Sequence, residues 1–331
     1  MACCRAVDAP TDAPPPLSGA AAGPPSPVRK SATGFFGALL LLLPFGILAQ
    51  LLHRAAGLLW TELFVFFTPA LVAVAGSNLR ARRFLRLGPV APALLVLAGI
   101  AGASCTLVAV ALQGALQRAL PPFILRAFDV AQLFLGPPWE RWALAAIATI
   151  AAPVCEELAF RGYLLRALRL RFDARASIVV SALLFALVHL DPVRFLGLAG
   201  LGALFGWLAV RSGSVWPAVA AHAGNNAVVS WVLVSSPGSA PVTAPPPSLA
   251  ELLVASALGL AVLVPVLAFF SSAAAAAPPA AVDPLEARDP ADPSRTFRPS
   301  RVPAALRLLV ALGALAYAAL VARGLLRSPF S

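Results

Sequence analysis

Two adjacent carboxylates, an arginine four residues past the second, and two histidines further along are the groups in this chain best suited to chemistry. They lie in Pro153-Val154-Cys155-Glu156-Glu157-Leu158-Ala159-Phe160-Arg161, in Phe185-Ala186-Leu187-Val188-His189, and in His222-Ala223-Gly224-Asn225-Asn226. On a helix Glu157 and Arg161 are i,i+4 and share a face. Glu156 is rotated from its neighbour by about 100°, at 3.6 residues per turn. Geometry thus divides the pair: Arg161 can neutralise Glu157 and leave Glu156 to point elsewhere. Pro153 has no amide proton, so it can loosen the helix one turn earlier and free backbone groups. Phe185 and His189 share a face, as do His222 and Asn226. The small residues Ala223 and Gly224 permit a neighbouring helix to come close.

Each cluster alone has a plain structural explanation. Glu157 with Arg161 can be an interfacial salt bridge, His189 a helix-end side chain on a carbonyl, and His222 with Asn226 polar glue between helices. Their joint occurrence, in order within 156–226 and on separate apolar stretches, makes three independent explanations less economical than one. A charge at the centre of a bilayer costs ~2.5–3.5 kcal/mol even on a lenient scale.

The elements that must position these groups are membrane helices. Of 331 residues, 60% are hydrophobic and 12% charged, against about half and a quarter in soluble chains. This excludes a disordered chain, an ordinary soluble enzyme, a collagen and a disulfide framework. Apolar runs at 35–52, 57–77, 90–116, 142–165, 176–190, 195–210, 214–235, 249–276 and 304–322 predict an all-α polytopic membrane protein of about 8–9 transmembrane helices. Most can cross a hydrocarbon core of ~30 Å. The fifth and sixth are short, which predicts tilt or a broken pair inside the bundle.

The net charge of +11 sits in arginine clusters between these runs, which encodes topology rather than nucleic-acid binding. Arg80, Arg82, Arg83 and Arg86 form one cluster, and Arg166, Arg169, Arg171 and Arg175 a second. Arg288, Arg295, Arg298 and Arg301 form a third. Alternate crossings put all three and the N-terminal tail on one side, expected to be the cytoplasm of a cell-membrane protein. Residues 1–34 read as a disordered Pro/Ala-rich tail and 35–139 as N-terminal transmembrane helices. Residues 140–235 read as the functional core, 236–277 as a further transmembrane helix, 278–303 as a Pro-rich linker and 304–331 as a C-terminal transmembrane helix. Cys3, Cys4, Cys105 and Cys155 show no CxxC spacing, so neither a disulfide framework nor a zinc ribbon is expected.

E-E-x-x-x-R, F-x-x-x-H and H-x-x-x-N, in that order on apolar helices, resemble the CPBP family. These are the CAAX proteases and bacteriocin-processing enzymes, also called the Abi family of intramembrane endopeptidases. The motifs match in full over about 140–235. The resemblance implies a CAAX-protease-like core and a peptidase of glutamic type. It also implies a membrane-associated protein or peptide as substrate, with lipidated ends and C-terminal sorting signals among the candidates. It implies Glu156 as general base, His189 as its partner on water, and His222 and Asn226 as oxyanion donors. Glu157, Arg161 and Phe185 would support them. Arg161 has a second reading, as a contact for a substrate carboxylate. No cofactor is favoured. The alternative is zinc on Glu156, His189 and His222, a His₂Glu set with an open fourth position, although no His-Glu-x-x-His motif accompanies it. A non-catalytic immunity or scaffold protein on the same fold is another reading, as is a proton-relay transporter. Glu62, between Trp60 and Phe64, either approaches the site or is a polar helix terminus.

Overall fold

The computed structural model describes residues 27–75, 81–169, 172–235 and 247–276. All regular elements among them are helical. We label the main ones α1 (Pro27–Leu52), α2 (Arg54–Val74), α3 (Pro92–Gln117), α4 (Pro138–Arg169), α5 (Ala174–Val188), α6 (Phe195–Ser212), α7 (Trp216–Ser235) and α8 (Leu249–Ala276). Six of these runs are long and apolar enough to cross a membrane. Of the other two, α5 has only 15 residues, and α7 carries His222, Asn225 and Asn226. The chain is a multi-pass membrane protein.

The helices follow the predicted runs closely. The largest difference is at α1, which begins at Pro27, inside the segment expected to be tail. Proline's fixed φ suits a first helical turn, and Pro27 precedes a stretch with no further proline until Pro44. The run at 304–322, the linker at 278–303, the third arginine cluster, Cys3 and Cys4 lie outside the described residues, as does most of the tail. Local signals set other ends. Pro92 and Pro138 open α3 and α4, Asp173 caps α5 by accepting from the Ala176 amide at 2.7 Å, and α6 ends on Gly213 at φ 69°.

Helix α3 lies between α7 and α8, and glycines bring the backbones together. A Cβ on Gly102 would run into the Ala221 backbone, and one on Gly224 into Gly99. The small residues of α7 thus have their partner in α3. The buried aromatic centre, with Phe160, Tyr163, Phe185 and Phe205, sits where α4, α5 and α6 meet. Spans α1 and α8 are the outer helices, each 17% buried against 56% for α4. Their many exposed leucines and valines face lipid.

Contacts sort the helix ends into two faces. Arg54 pairs with Glu140 at 3.8 Å and Arg118 donates to the Pro247 carbonyl at 2.9 Å, so the turns at 53, 118–137 and 247 share one face. On the other, the Arg86 carbonyl accepts from Val215 at 3.2 Å and Arg211 donates to Ser271 at 3.1 Å. The described arginines of both clusters belong to this second face.

Candidate active site

Helix α4 is not regular where the motif lies. Ile147–Ala151 and Leu158–Leu164 are π-helical, flanking Ala152–Glu157. Pro153 accounts for the first. The Ala152 amide bonds to the Ile147 carbonyl, one residue further back than in an α-helix. The Ala148 carbonyl is left over, because the next residue in line, Pro153, has no N–H to give. Asn226 on α7 fills the gap, its Nδ2 donating to Ala148 O at 2.7 Å. Asn226 Oδ1 accepts from Asn225 Nδ2 at 2.9 Å, and the Thr106 hydroxyl donates to Asn225 Oδ1 at 2.9 Å. This chain fixes the Asn226 carboxamide. Its Nδ2 carries a second hydrogen, and Asn226 lines a cavity.

His189 closes α5. Its Nδ1 lies 2.7 Å from the Phe185 carbonyl. A carbonyl only accepts, so Nδ1 carries the proton and Nε2 is the nitrogen that faces Glu156. Glu156 Oε2 is 3.8 Å from Nε2. That is too long for a direct hydrogen bond, but one water oxygen can reach both atoms. Glu156 Oε2 is buried without a protein partner. Beyond His189 the chain turns at Leu190, whose φ of 51° is left-handed, a conformation that disfavours a side chain. Asp191 holds this turn: Oδ1 accepts from the Val193 amide at 2.9 Å and the Arg194 amide at 3.0 Å, and Oδ2 from Arg194 Nε at 2.6 Å. Within apolar surroundings such a turn needs its polar groups paired internally.

Glu157 faces the other way. Its Oε1 accepts from Arg161 Nη1 at 2.9 Å and from His222 Nδ1 at 2.9 Å. Arg161 Nη2 donates to the Gly202 carbonyl at 2.8 Å. The guanidinium also lies over Phe185 at 4.5 Å and Phe205 at 5.3 Å. Gly202 leaves the space for this, since a Cβ there would meet Arg161 Nη2 at 3.2 Å. His222 stacks on Phe205, with centroids 4.9 Å apart. One cluster thus ties α4, α6 and α7.

A cavity of about 420 Å³ is lined by Glu62, Glu156, His189, Arg194 and Asn226 among otherwise largely apolar side chains. Leu51, Leu58 and Val130 also line it, which puts it toward the face of the 53 and 118–137 turns, away from the arginine clusters. His222 and Glu157 stand one layer behind its wall. Among the described residues, no three His, Cys, Asp or Glu side chains gather as a metal group; the Glu157 contact on His222 Nδ1 leaves its Nε2 open.

Residues 138–228 match the family model described as type II CAAX prenyl endopeptidase Rce1-like. Over these residues the chain is similar to that family. The match takes in α4 through most of α7, hence all three motifs and every polar contact of the Glu156 and Glu157 clusters except that from Thr106. No curated protein and no solved structure matches the chain. At the level of the family, the similarity is to an intramembrane peptidase of membrane-associated proteins.

Several residues around the Rce1-like site were not singled out in the sequence. Asp191 and Arg194 had a signal, two charges between short apolar runs. Thr106 had none, because a threonine inside an apolar helix usually bonds its own backbone, as Thr106 also does to Gly102 O at 3.2 Å. Phe205 and Gly202 read as ordinary packing residues.

Proposed function

We propose that this chain hydrolyses a peptide bond in a membrane-associated protein with water activated by Glu156 and His189. The observation that carries this is the 3.8 Å gap between Glu156 Oε2 and His189 Nε2 at the wall of a cavity. A water in the gap gives a proton to Glu156 as its oxygen attacks the carbonyl carbon, while His189 accepts a hydrogen bond and aims it. The free N–H of Asn226 is the donor for the oxyanion that forms. His222 stands behind the cavity wall with Nδ1 on Glu157 Oε1 at 2.9 Å, and in this reading it positions Glu157 rather than meeting the oxyanion. Arg161 holds Glu157 in place at 2.9 Å, and Phe185 places both histidines, its carbonyl on His189 and its ring 5.8 Å from that of His222.

The test is cleavage of a library of membrane-anchored peptides, some lipidated and some ending in sorting-signal sequences, read by mass spectrometry with and without a strong chelator. Cleavage by the purified full chain that persists under chelation is the expected result. Loss under chelation and return with zinc would replace the glutamic mechanism by the metal one. A folded protein that cuts nothing in the library would favour the scaffold reading.

Orientation follows from charge. The arginine-rich face lies in the cytoplasm with the N-terminal tail, so the cavity is reached from the opposite side of the cell membrane. The substrate segment is therefore extracytoplasmic or enters from that leaflet. Val130→Cys, a near-isosteric change at the cavity, in a chain lacking Cys3 and Cys4, reports this directly. The native Cys105 and Cys155 are buried. Labelling of intact cells by a membrane-impermeant maleimide is expected; labelling only after permeabilisation would reverse the orientation.

A further inference from the structure

Glu62 sits halfway along α2, at the first position of the π-helical turn Glu62–Phe67. It is only 2% exposed, and its Oε2 is buried with no hydrogen-bond partner. A carboxyl in the middle of an apolar helix needs a reason. The polar side chains nearby on its own hairpin do not supply one: Gln50 donates to Thr61, and Thr61 to the Gly46 and Gly57 carbonyls. The π turn packs against Ala152–Glu157, and Glu62 and Glu156 line the same cavity. They are near enough for their charges to interact. Glu156 Oε2 is likewise buried and unpartnered.

The surrounding charges relieve this pair only in part, because each nearby arginine is already held by another carboxylate. From α4, Cys155 and Glu156 face Glu62, with Glu157 and Arg161 behind, bound to each other at 2.9 Å. From the turn between α5 and α6 come His189, Asp191 and Arg194, and Arg194 is held by Asp191 at 2.6 Å. From α7 comes the neutral Asn226. Two carboxylates with no cation of their own cannot both stay charged out of water. One proton between them removes the repulsion and gives an orphaned oxygen a donor.

We propose that Glu62 and Glu156 form a carboxyl dyad holding one shared proton at the cavity wall. In its catalytic consequence this rests on the peptidase reading above. The attacking water gives one proton to the dyad as the C–O bond forms. The dyad gives one proton to the amide nitrogen as the C–N bond breaks. Acid and amine leave, and the dyad again holds one proton. Glu62 is thus the store from which the leaving amine is protonated.

Infrared spectroscopy of the purified full-length protein tests the dyad without any substrate. A protonated carboxyl C=O band at neutral pH, altered by both Glu62→Gln and Glu156→Gln, is expected. A wild-type spectrum without this band, or a band that either replacement leaves untouched, overturns the dyad. The kinetic arm uses the same variants. Glu62→Gln should cut kcat by about a hundredfold and remove one limb of the pH–rate profile, with part of the rate restored in Glu62→Asp. A folded Glu62→Gln protein with wild-type rate and profile overturns the catalytic role. If wild type cleaves no probe, the peptidase reading fails, and the infrared result still decides the dyad.

Discussion

Glu156→Gln is expected to lower peptide cleavage by about 10²–10⁴-fold, the range for loss of a general base, while the helix bundle stays as stable as before. The substitution keeps the volume and shape of the side chain. Glu156 Oε2 meets no fixed donor, an amide there can still donate to Glu62, and the contact with His189 is a 3.8 Å gap rather than a bond. An amide placed there can still hydrogen-bond a water but cannot take its proton. Initial rates on the best-cleaved library peptide, with thermal melting in the same detergent, measure both quantities. A stable variant that retains more than a tenth of the wild-type rate would remove Glu156 from the chemistry.

Arg161→Met should have the opposite profile, a large loss of stability whatever the substrate. Both side chains of the Arg161–Glu157 pair are 0% exposed. Removing the guanidinium leaves the buried Glu157 with only His222 as a partner. Breaking a buried pair from one side costs ~3–5 kcal/mol. The loss includes the bond to the Gly202 carbonyl at 2.8 Å and the stacking on Phe185 and Phe205. Lysine should rescue little, since a compact ammonium cannot present a planar fork to a carboxylate and a carbonyl together. Arg161→Met combined with Glu157→Gln should recover part of the loss, because no lone charge remains. Thermal melting of the four proteins in detergent gives the answer. Equal melting of Arg161→Met and wild type would mean that the pair does not hold α4 to α6.

These neighbouring glutamates show how much of the site can be read from spacing. The i,i+4 relation of Glu157 and Arg161 follows from helix geometry, and the contact at 2.9 Å is there. Phe185 and His189 are likewise linked as spacing suggests, though through the Phe185 carbonyl as well as its ring. The effect of Pro153 was also legible, because a missing amide acts locally. What was not legible depends on neighbours far along the chain. Nothing in the order of residues says that Asn226 would bind the carbonyl that Pro153 frees, or that His222 would reach Glu157 rather than the cavity. Glu62 was visible as a charge in an apolar run, but only tertiary packing brings it to Glu156. The helical runs themselves were easy to locate, since apolarity over twenty residues is a signal that needs no partner. Their exact ends were less so: α4 continues to Arg169, because arginines can extend from a helix end while their stems remain in apolar surroundings.

The short helices around the Leu190–Arg194 turn leave a mark on the lipid as well as on the protein. At 1.5 Å per residue, α5 rises only about 22 Å, short of the ~30 Å hydrocarbon core. The turn therefore ends below the level reached by its taller neighbours, and acyl chains beside it must shorten or tilt to cover the step. Such hydrophobic mismatch has a modest energetic cost per ångström, which a thin membrane lowers and a thick one raises. A helix this short is better matched by short-chain than by long-chain lipid.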